Sequence, residues 1–218
     1  AMNDALGRGF AEVRASLGRH KSRVLHAADP RAGVKPTWPR SRFVPELGFE
    51  VYAHGGVFAG TRVDRGTRLL LDHLAEWTPP DGPIVDVGCG TGILATWLSR
   101  RHQDADVVAS DISAAAIAST RLTAGEAVRC ERVDGLTSWP DGSVGAVVTN
   151  PPFHTGAAKD STPTLQLIDD AARVVRPGGE VVMVFNTHLP YLPRLRRLGP
   201  TEVVRRDHRY LVTRTVRR

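Results

Sequence analysis

Short apolar runs alternate with longer amphipathic stretches through the middle of the chain, and this alternation limits its fold more than any other feature. The runs have the length and β-branched content of buried strands, and the stretches between them have the apolar spacing of helices. The predicted strands are 83–87, 105–109, 128–133, 144–149 and 180–185, and the predicted helices are 93–101, 114–122 and 164–175. Because a crossover helix brings the next strand back parallel to the first, the pattern predicts an α/β fold with a mostly parallel sheet and helices on both faces.

The end of the chain has a different pattern. Two strand-like runs, 202–206 and 209–216, are separated only by Asp207 and His208. A link this short permits an antiparallel hairpin and no parallel crossover. The sequence therefore predicts a seven-stranded sheet that finishes in a C-terminal antiparallel hairpin.

The first 50 residues lack this alternation, so we predict a basic N-terminal extension over 1–50 and one α/β domain over 51–218. Apolar residues recur at helical spacing over 1–20, which predicts a short amphipathic helix there. Four prolines within 27–50 predict irregular or extended structure. A further helix is predicted over 66–77.

Composition and charge describe an ordinary globular chain with basic ends. The 218 residues are 41% hydrophobic and 24% charged, and no apolar run is long enough to span a membrane. Cys89 and Cys130 have no metal-ligand spacing, so we expect no metal and a reducing cytoplasm. Basic residues outnumber acidic ones nine to five over 1–50 and nine to two over 186–218, whereas acidic residues lead sixteen to eleven in between. Either the basic ends of the chain bind an anionic partner, or the many surface arginines only reflect a GC-rich genome.

A glycine-rich loop follows the first predicted strand: Asp86-Val87-Gly88-Cys89-Gly90-Thr91-Gly92. Ligands of doubly wound sheets bind beyond the carboxyl ends of the strands, where this loop lies. Its glycines let a ligand approach the backbone, and its Gly-x-Gly-x-Gly spacing is one residue shorter than the dinucleotide fingerprint. A plain strand-to-helix connection is the alternative. We predict cofactor contacts at Asp86, Gly88, Cys89 and Gly90, with Cys89 as a small packed residue without chemistry of its own.

Two acidic residues close the second and third predicted strands. Asp111 lies 19 residues beyond Gly92, where a carboxylate can accept both hydroxyl hydrogens of a ribose. Asp134, which precedes Gly135, can accept from an adenine amino group. A helix N-cap is the alternative for Asp111, and a turn residue is the alternative for Asp134. We predict that both acids contact an adenosine, together with Ile112 and Gly135.

Asn150-Pro151-Pro152-Phe153, after the fourth predicted strand, is the most specific motif in the chain. Two consecutive prolines stiffen the loop and remove two backbone donors. The Asn150 side-chain oxygen and the Pro151 carbonyl can then accept the two hydrogens of an exocyclic NH₂ group, while the Phe153 ring stacks on a planar base. We predict these four residues as catalytic, with Asn150 also beside the cofactor. An Asn-Pro turn with a buried Phe is the alternative.

Together these motifs resemble class I methyltransferases that act on amino groups. The chain is similar, over residues 50–216, to the methyltransferase small-domain family, whose type members methylate guanine N2 in ribosomal RNA. The resemblance rests on the glycine loop, on Asp111, and on the runs Gly56-Val57-Phe58, Asp64-Arg65-Gly66-Thr67-Arg68-Leu69-Leu70-Leu71, Asn150-Pro151-Pro152-Phe153-His154-Thr155-Gly156 and Asn186-Thr187-His188-Leu189-Pro190-Tyr191. It implies a Rossmann-like fold, S-adenosyl-L-methionine as cofactor, and guanine N2 in ribosomal RNA or a ribosomal subunit as the methyl acceptor.

The resemblance also implies cofactor contacts at Phe58 and Thr67, although an ordinary core position is the alternative for Phe58. Two features depart from the family. Its bacterial members typically carry a whole preceding domain, and Thr155 stands where the family usually has an acidic residue after the histidine. His154 itself could approach the target base, and a structural histidine is the alternative. The predicted phosphate surface consists of Arg14, Arg19, Lys21, Arg23, Arg40, Arg42, Arg194, Arg196 and Arg197.

Other functions stay open at the level of the sequence. A protein glutamine methyltransferase acting on a release factor uses the same chemistry, although it usually has Tyr at the position of Phe153. A methyltransferase for a small-molecule amine and a non-catalytic RNA-binding module with a relic pocket are further alternatives. An NAD-dependent oxidoreductase is disfavoured by the glycine spacing and by the Asn-Pro-Pro-Phe loop, which hydride transfer does not need.

Overall fold

A computed structural model describes residues 2–151 and 162–218, and it divides the chain into two compact units, Ala1–Thr37 and Trp38–Arg218. The first unit contains helix α1 (Met2–Gly9) and an antiparallel hairpin of β1 (Phe10–Ala15) and β2 (Leu25–Pro30). The predicted helix over 1–20 is therefore wrong beyond Gly9. Glycine is a poor helix former, and the following residues instead pair with a strand 10 to 20 positions away, which helical spacing cannot reveal.

The second unit begins with a hairpin of β3 (Arg40–Val44) and β4 (Phe49–Ala53). Alternate residues of β4 are buried, because one face of the strand lies against helix α4 (Ala114–Ala124). Two backbone amides fix this contact: that of Tyr52 donates to the Thr123 hydroxyl at 3.0 Å, and that of His54 donates to Ser119 at 2.9 Å. The hairpin thus packs with the unit that starts at Trp38, while the division at residues 50 and 51 stays a prediction.

A seven-stranded sheet forms the centre of the second unit, as predicted. Its spatial order is β10-β11-β9-β8-β5-β6-β7, with β5 to β9 parallel and the last two strands antiparallel. The strands are β5 (Ile84–Val87), β6 (Val107–Asp111), β7 (Arg129–Arg132), β8 (Val144–Thr149), β9 (Val175–Asn186), β10 (Thr201–Arg206) and β11 (Tyr210–Val216). From β5 the chain runs outward to β7 and then crosses back to β8. The switch point, where a ligand site is expected, therefore lies between β5 and β8.

Helices cover both faces of the sheet. They are α2 (Arg65–Leu74), α3 (Ile93–Arg101) and α4, followed by α5 (Thr162–Val174) and α6 (Leu192–Leu198). One apolar cluster packs α2, α3 and α4 against the sheet, and a second cluster packs α5 and α6 on the other side. Burying both faces explains why the inner parallel strands β5, β6 and β8 are almost continuously apolar. In the described part of the chain, no helix has the length and hydropathy needed to cross a membrane.

Candidate functional site

A cavity of about 580 Å³ opens at the switch point of the sheet. Its wall includes Val87 from β5, Asp111 from β6, Val133 beyond β7 and Asn150 beyond β8. The loop between β4 and α2 and the first turns of α5 complete the wall. Concave sites of this size hold drug-sized molecules or cofactors. In the part of the chain that the structure describes, no three His, Cys, Asp or Glu side chains group closely enough to hold a metal ion.

The glycine loop turns sharply after β5 and lines this cavity. Gly88 and Gly90 have φ angles of 74° and 57°, in the left-handed region that favours glycine, and a Cβ on either would meet nothing within 4 Å. Cys89 between them is buried, and its Sγ lies 3.2 Å from the Thr120 hydroxyl. Burial raises the pKa of the Cys89 thiol, so the side chain stays a neutral packed group.

Gly92 has a different function from the first two glycines. It does not line the cavity, and a Cβ on it would lie 2.6 Å from the Thr120 methyl carbon. Its absent side chain lets α3 begin directly against α4, while its φ of 76° adds a second reason for glycine.

Asp86 lies beneath the loop and outside the cavity wall. Only 1% of it is exposed, and its Oδ2 accepts a hydrogen bond from the Ala95 amide at 3.1 Å, in the first turn of α3. Within the described residues its Oδ1 has no partner. Burial, together with the nearby charge of Asp111, raises the pKa of Asp86 to about 7. The structure therefore brings Asp86 to the base of the loop and not to the surface that a ligand would touch.

Asp111 faces the cavity and is held by the loops on either side. Its Oδ2 accepts from the Gly90 amide at 3.1 Å and its Oδ1 accepts from the Ser113 amide at 2.8 Å. Ser113 is the N-cap of α4, because its side chain accepts from the Ala116 amide. Asp111 is therefore not the N-cap of this helix. An ionised carboxylate offers about four acceptor positions, which leaves room for further hydrogen bonds.

Three more predicted contacts surround Asp111. Ile112 lines the cavity with 62% of its surface exposed. Asp134 and Gly135 line it as well. The Thr137 hydroxyl donates to the backbone oxygen of Asp134 at 2.9 Å, so this hydrogen bond of the turn does not use the Asp134 carboxylate. The exposed apolar surface of Ile112 and the two carboxylates together suit a ligand with a flat apolar part and polar edges.

Phe58 lines the cavity from the loop that precedes α2, with 68% of its surface exposed. The core alternative for this residue is therefore wrong. Three residues of this loop have positive φ angles: 84° at Gly56, 58° at Ala59 and 57° at Gly60. For Ala59 this conformation is uncommon, and such local strain occurs most often at functional sites.

Asn150 lies at the cavity wall and is anchored through its nitrogen. Its Nδ2 donates to Asp64 Oδ2 at 3.1 Å and to Thr67 Oγ1 at 2.9 Å. Its Oδ1 is buried and, in residues 2–151 and 162–218, has no hydrogen-bond partner. Pro151 lines the cavity and is buried. The predictions for Pro152 and Phe153, and the interpretation of His154, fall outside the described residues.

Sequence reasoning gave no role to Asp64 or Arg62, although both line the cavity. An aspartate just before a predicted helix is a common N-cap, and this local signal could have marked Asp64. In the structure Asp64 is the N-cap of α2, and its Oδ1 accepts from the Gly66 amide at 2.9 Å. Its contact with Asn150 spans 86 positions, and no local signal predicts it.

The predicted phosphate surface is only partly available. Arg194 forms a bidentate ion pair with Asp169, and Arg14 forms an ion pair with Glu12 at 2.9 Å. The Arg40 guanidinium lies 4.5 Å from the Trp38 ring centre. Arg14 and Arg40 nevertheless stay exposed, as do Arg19, Lys21, Arg23, Arg42, Arg196 and Arg197.

Comparison with known proteins places this geometry in context. The model of the methyltransferase small domain matches residues 48–214. The chain is 39% identical over 222 residues to ribosomal RNA large subunit methyltransferase G of Streptomyces coelicolor, covering 94% of this chain and 58% of that protein. It is 42% identical over 152 residues to ribosomal RNA small subunit methyltransferase C of Pseudomonas fluorescens, covering 68% and 45%. The chain thus spans roughly half the length of these curated relatives.

A solved structure also matches nearly the whole chain. It is the T. thermophilus 16S rRNA N2 G1207 methyltransferase (RsmC) in complex with AdoMet and guanosine. The TM-score is 0.77 at 25% identity, and the match covers 97% of this chain and 59% of that one.

Proposed function

The chain belongs to the methyltransferase small-domain family, and we propose that it transfers a methyl group from S-adenosyl-L-methionine to an exocyclic amino nitrogen, with guanine N2 in ribosomal RNA as the acceptor. The observation that carries this proposal is the buried Oδ1 of Asn150 at the cavity wall, which has no hydrogen-bond partner among the described residues. A buried acceptor without a partner is costly. An amino group that enters the cavity would satisfy it.

The residues of the cavity fit the proposed cofactor. Asp111 has acceptor capacity left for the two ribose hydroxyls, and Asp134 offers a carboxylate for the adenine amino group. Exposed Ile112 and Phe58 offer apolar surface for the adenine and the sulfonium side chain. Three carboxylates in the wall, those of Asp64, Asp111 and Asp134, favour a positively charged ligand.

Asn150 then positions the acceptor nitrogen. The bound cofactor supplies an electrophilic methyl group on sulfur. The lone pair of an exocyclic amine is delocalised into its ring, so the amine is a weak nucleophile. By accepting one amine hydrogen, Asn150 Oδ1 favours the pyramidal nitrogen whose lone pair can attack, and holding it in place supplies much of the acceleration. An amide is not basic enough to remove the spare proton, which leaves to solvent after transfer.

A ribosomal RNA acceptor is supported by the named relatives and by the charge of this chain. A base inside a helix must be unstacked to reach such a cavity, which costs a few kcal/mol. Phosphate contacts can offset this cost, and exposed Arg196 and Arg197 on α6 together with Arg19, Lys21 and Arg23 are the proposed partners. Such a substrate would place the enzyme in the cytoplasm, acting on ribosomal RNA or an assembled subunit.

Incubation with tritiated S-adenosyl-L-methionine tests the proposal. Separated 30S subunits, 50S subunits and release factors from an undermethylated strain serve as acceptors, with Asn150→Ala as the inactive control. Label in RNA that the variant fails to transfer supports the proposal. Label in protein alone would move the assignment to glutamine methylation, and label that persists in the variant would overturn the function of Asn150.

A further inference from the structure

We infer that Asp64 and Thr67 are positioning residues that fix the direction of the Asn150 amide, so that its oxygen and not its NH₂ group faces the acceptor. This inference rests on the proposed methyl transfer and adds to it the reason why Asn150 presents an acceptor. The three side chains meet at the cavity wall, where α2 begins beside the end of β8.

The hydrogen bonds among the three side chains have only one consistent direction. Thr67 donates its single hydroxyl hydrogen to Asp64 Oδ2. The Thr67 oxygen is then an acceptor toward Asn150, whose Nδ2 lies 2.9 Å away. The same Nδ2 donates its other hydrogen to Asp64 Oδ2 at 3.1 Å. Both amide hydrogens are therefore used, and the amide oxygen is left for the cavity.

The opposite orientation of the Asn150 amide would be unfavourable. Its oxygen would face the Asp64 carboxylate, which only accepts, and the Thr67 hydroxyl could donate to that oxygen only by giving up its bond to Asp64. A reversed amide would also present two N–H donors to the acceptor amine, which needs an acceptor itself. The carboxylate of Asp64 thus sets which end of Asn150 reaches the substrate.

Asp64 needs both carboxylate oxygens, and this makes Asn a poor replacement for it. Oδ1 accepts from the Gly66 amide at 2.9 Å and caps α2. Oδ2 accepts from both Thr67 and Asn150. An asparagine at this position has one oxygen, which the helix cap takes, because its NH₂ group cannot face the Gly66 amide. The NH₂ group would then point at Asn150 and favour the reversed amide.

The test compares Asp64→Asn with Asp72→Asn. Asp72 is exposed on the same helix and does not line the cavity, so it undergoes the same chemical change without touching the three side chains. We expect kcat of Asp64→Asn, measured at saturating cofactor, to fall about 10- to 100-fold, the size of a lost hydrogen bond to a charged group. Asp72→Asn should keep the wild-type kcat.

A double variant separates positioning from general damage. If Asp64 acts through Asn150, then adding Asp64→Asn to Asn150→Ala should lower kcat no further. Thr67→Val should lower kcat as Asp64→Asn does, and Thr67→Ser, which keeps the hydroxyl, should restore most of what Val loses. Wild-type kcat in Asp64→Asn, or multiplicative losses in the double variant, would overturn the inference.

A measurement without turnover keeps this inference distinct from the proposed function. The side-chain NH₂ signal of Asn150, identified in ¹⁵N NMR by its loss in Asn150→Ala, should show slow hydrogen exchange in the wild type. In Asp64→Asn that exchange should accelerate at least about tenfold, because the NH₂ group turns to the open cavity. Equal exchange in both proteins would overturn the inference even if the enzyme methylates RNA. An inactive wild type with this difference would overturn the proposed function alone.

Discussion

Replacing Asp86 with Asn should make the stability of the protein less dependent on pH. The buried carboxyl has a pKa raised from 3.8 to about 7, chiefly by desolvation. In the unfolded chain it loses its proton near pH 4, whereas the folded protein keeps it until about pH 7. Stability from this group is therefore fully present below pH 4, falls as the pH rises to about 7, and stays constant above that. At about 1.4 kcal/mol per pH unit, the total loss is about 4 kcal/mol.

An amide cannot ionise, so Asp86→Asn should escape this loss while its oxygen still accepts from the Ala95 amide. Urea unfolding of the cofactor-free proteins at pH 5 and pH 8 gives the free energies of unfolding. The variant should gain on the wild type by about 3 kcal/mol between the two pH values. Any constant offset from the fit of the amide cancels in this comparison. Exposed Asp72→Asn is the control, and a difference for Asp86→Asn that is equal at both pH values would refute the reasoning.

Three further variants test single features of the cavity. Asp111→Ala should weaken S-adenosyl-L-methionine binding by about tenfold or more in calorimetry, since the ribose hydroxyls lose their acceptor; unchanged affinity would contradict this contact. Phe58→Ala should weaken S-adenosyl-L-methionine binding yet change the melting temperature little, because 68% of the residue is exposed. A large loss of stability would instead indicate that Phe58 packs in the core. Gly92→Ala should destabilise the protein by about 1–3 kcal/mol in urea unfolding, because its Cβ would lie 2.6 Å from Thr120; wild-type stability would show that the loop relaxes freely.

The sequence predicts the sheet well because its signals are local. Most parallel strands contain a short apolar run that is followed by a helical pattern, and the two-residue link Asp207-His208 admits only a hairpin. The edge strand β7 is the exception, since it carries charged residues and leads to β8 without a helix. The N-terminal hairpin was missed for the opposite reason. Its strands, Phe10–Ala15 and Leu25–Pro30, are exposed along most of their length and gain order by pairing with each other, which leaves little trace in hydrophobic spacing.

The candidate site shows the same division between local and distant information. Gly88, Gly90, Asp111 and Asn150 all line one cavity. Their positions after predicted strands indicate this, because the carboxyl ends of parallel strands share an edge of the sheet. Spacing does not say which way a side chain faces. Asp86 alternates along β5 to the same face as Ile84 and points at α3.

Positioning residues are harder to predict than ligand contacts. Asp64 meets Asn150 only because α2 starts beside the end of β8, and the two residues are 86 positions apart. Phe58 shows a second limit, since the sequence allowed both a core and a cavity position. Its exposure, set by the loop between β4 and α2, decides between them.

The most direct test of the central claim is the position of the transferred methyl group. Undermethylated ribosomal RNA is incubated with S-adenosyl-L-methionine that carries a trideuterated methyl group, and the RNA is digested to nucleosides for mass spectrometry. We expect trideuterated N2-methylguanosine with the wild type and a loss of about 100-fold or more with Asn150→Ala. A deuterated methyl group on a ring nitrogen or a ribose oxygen, or equal yields from both proteins, would contradict an amino-directed transfer that depends on Asn150.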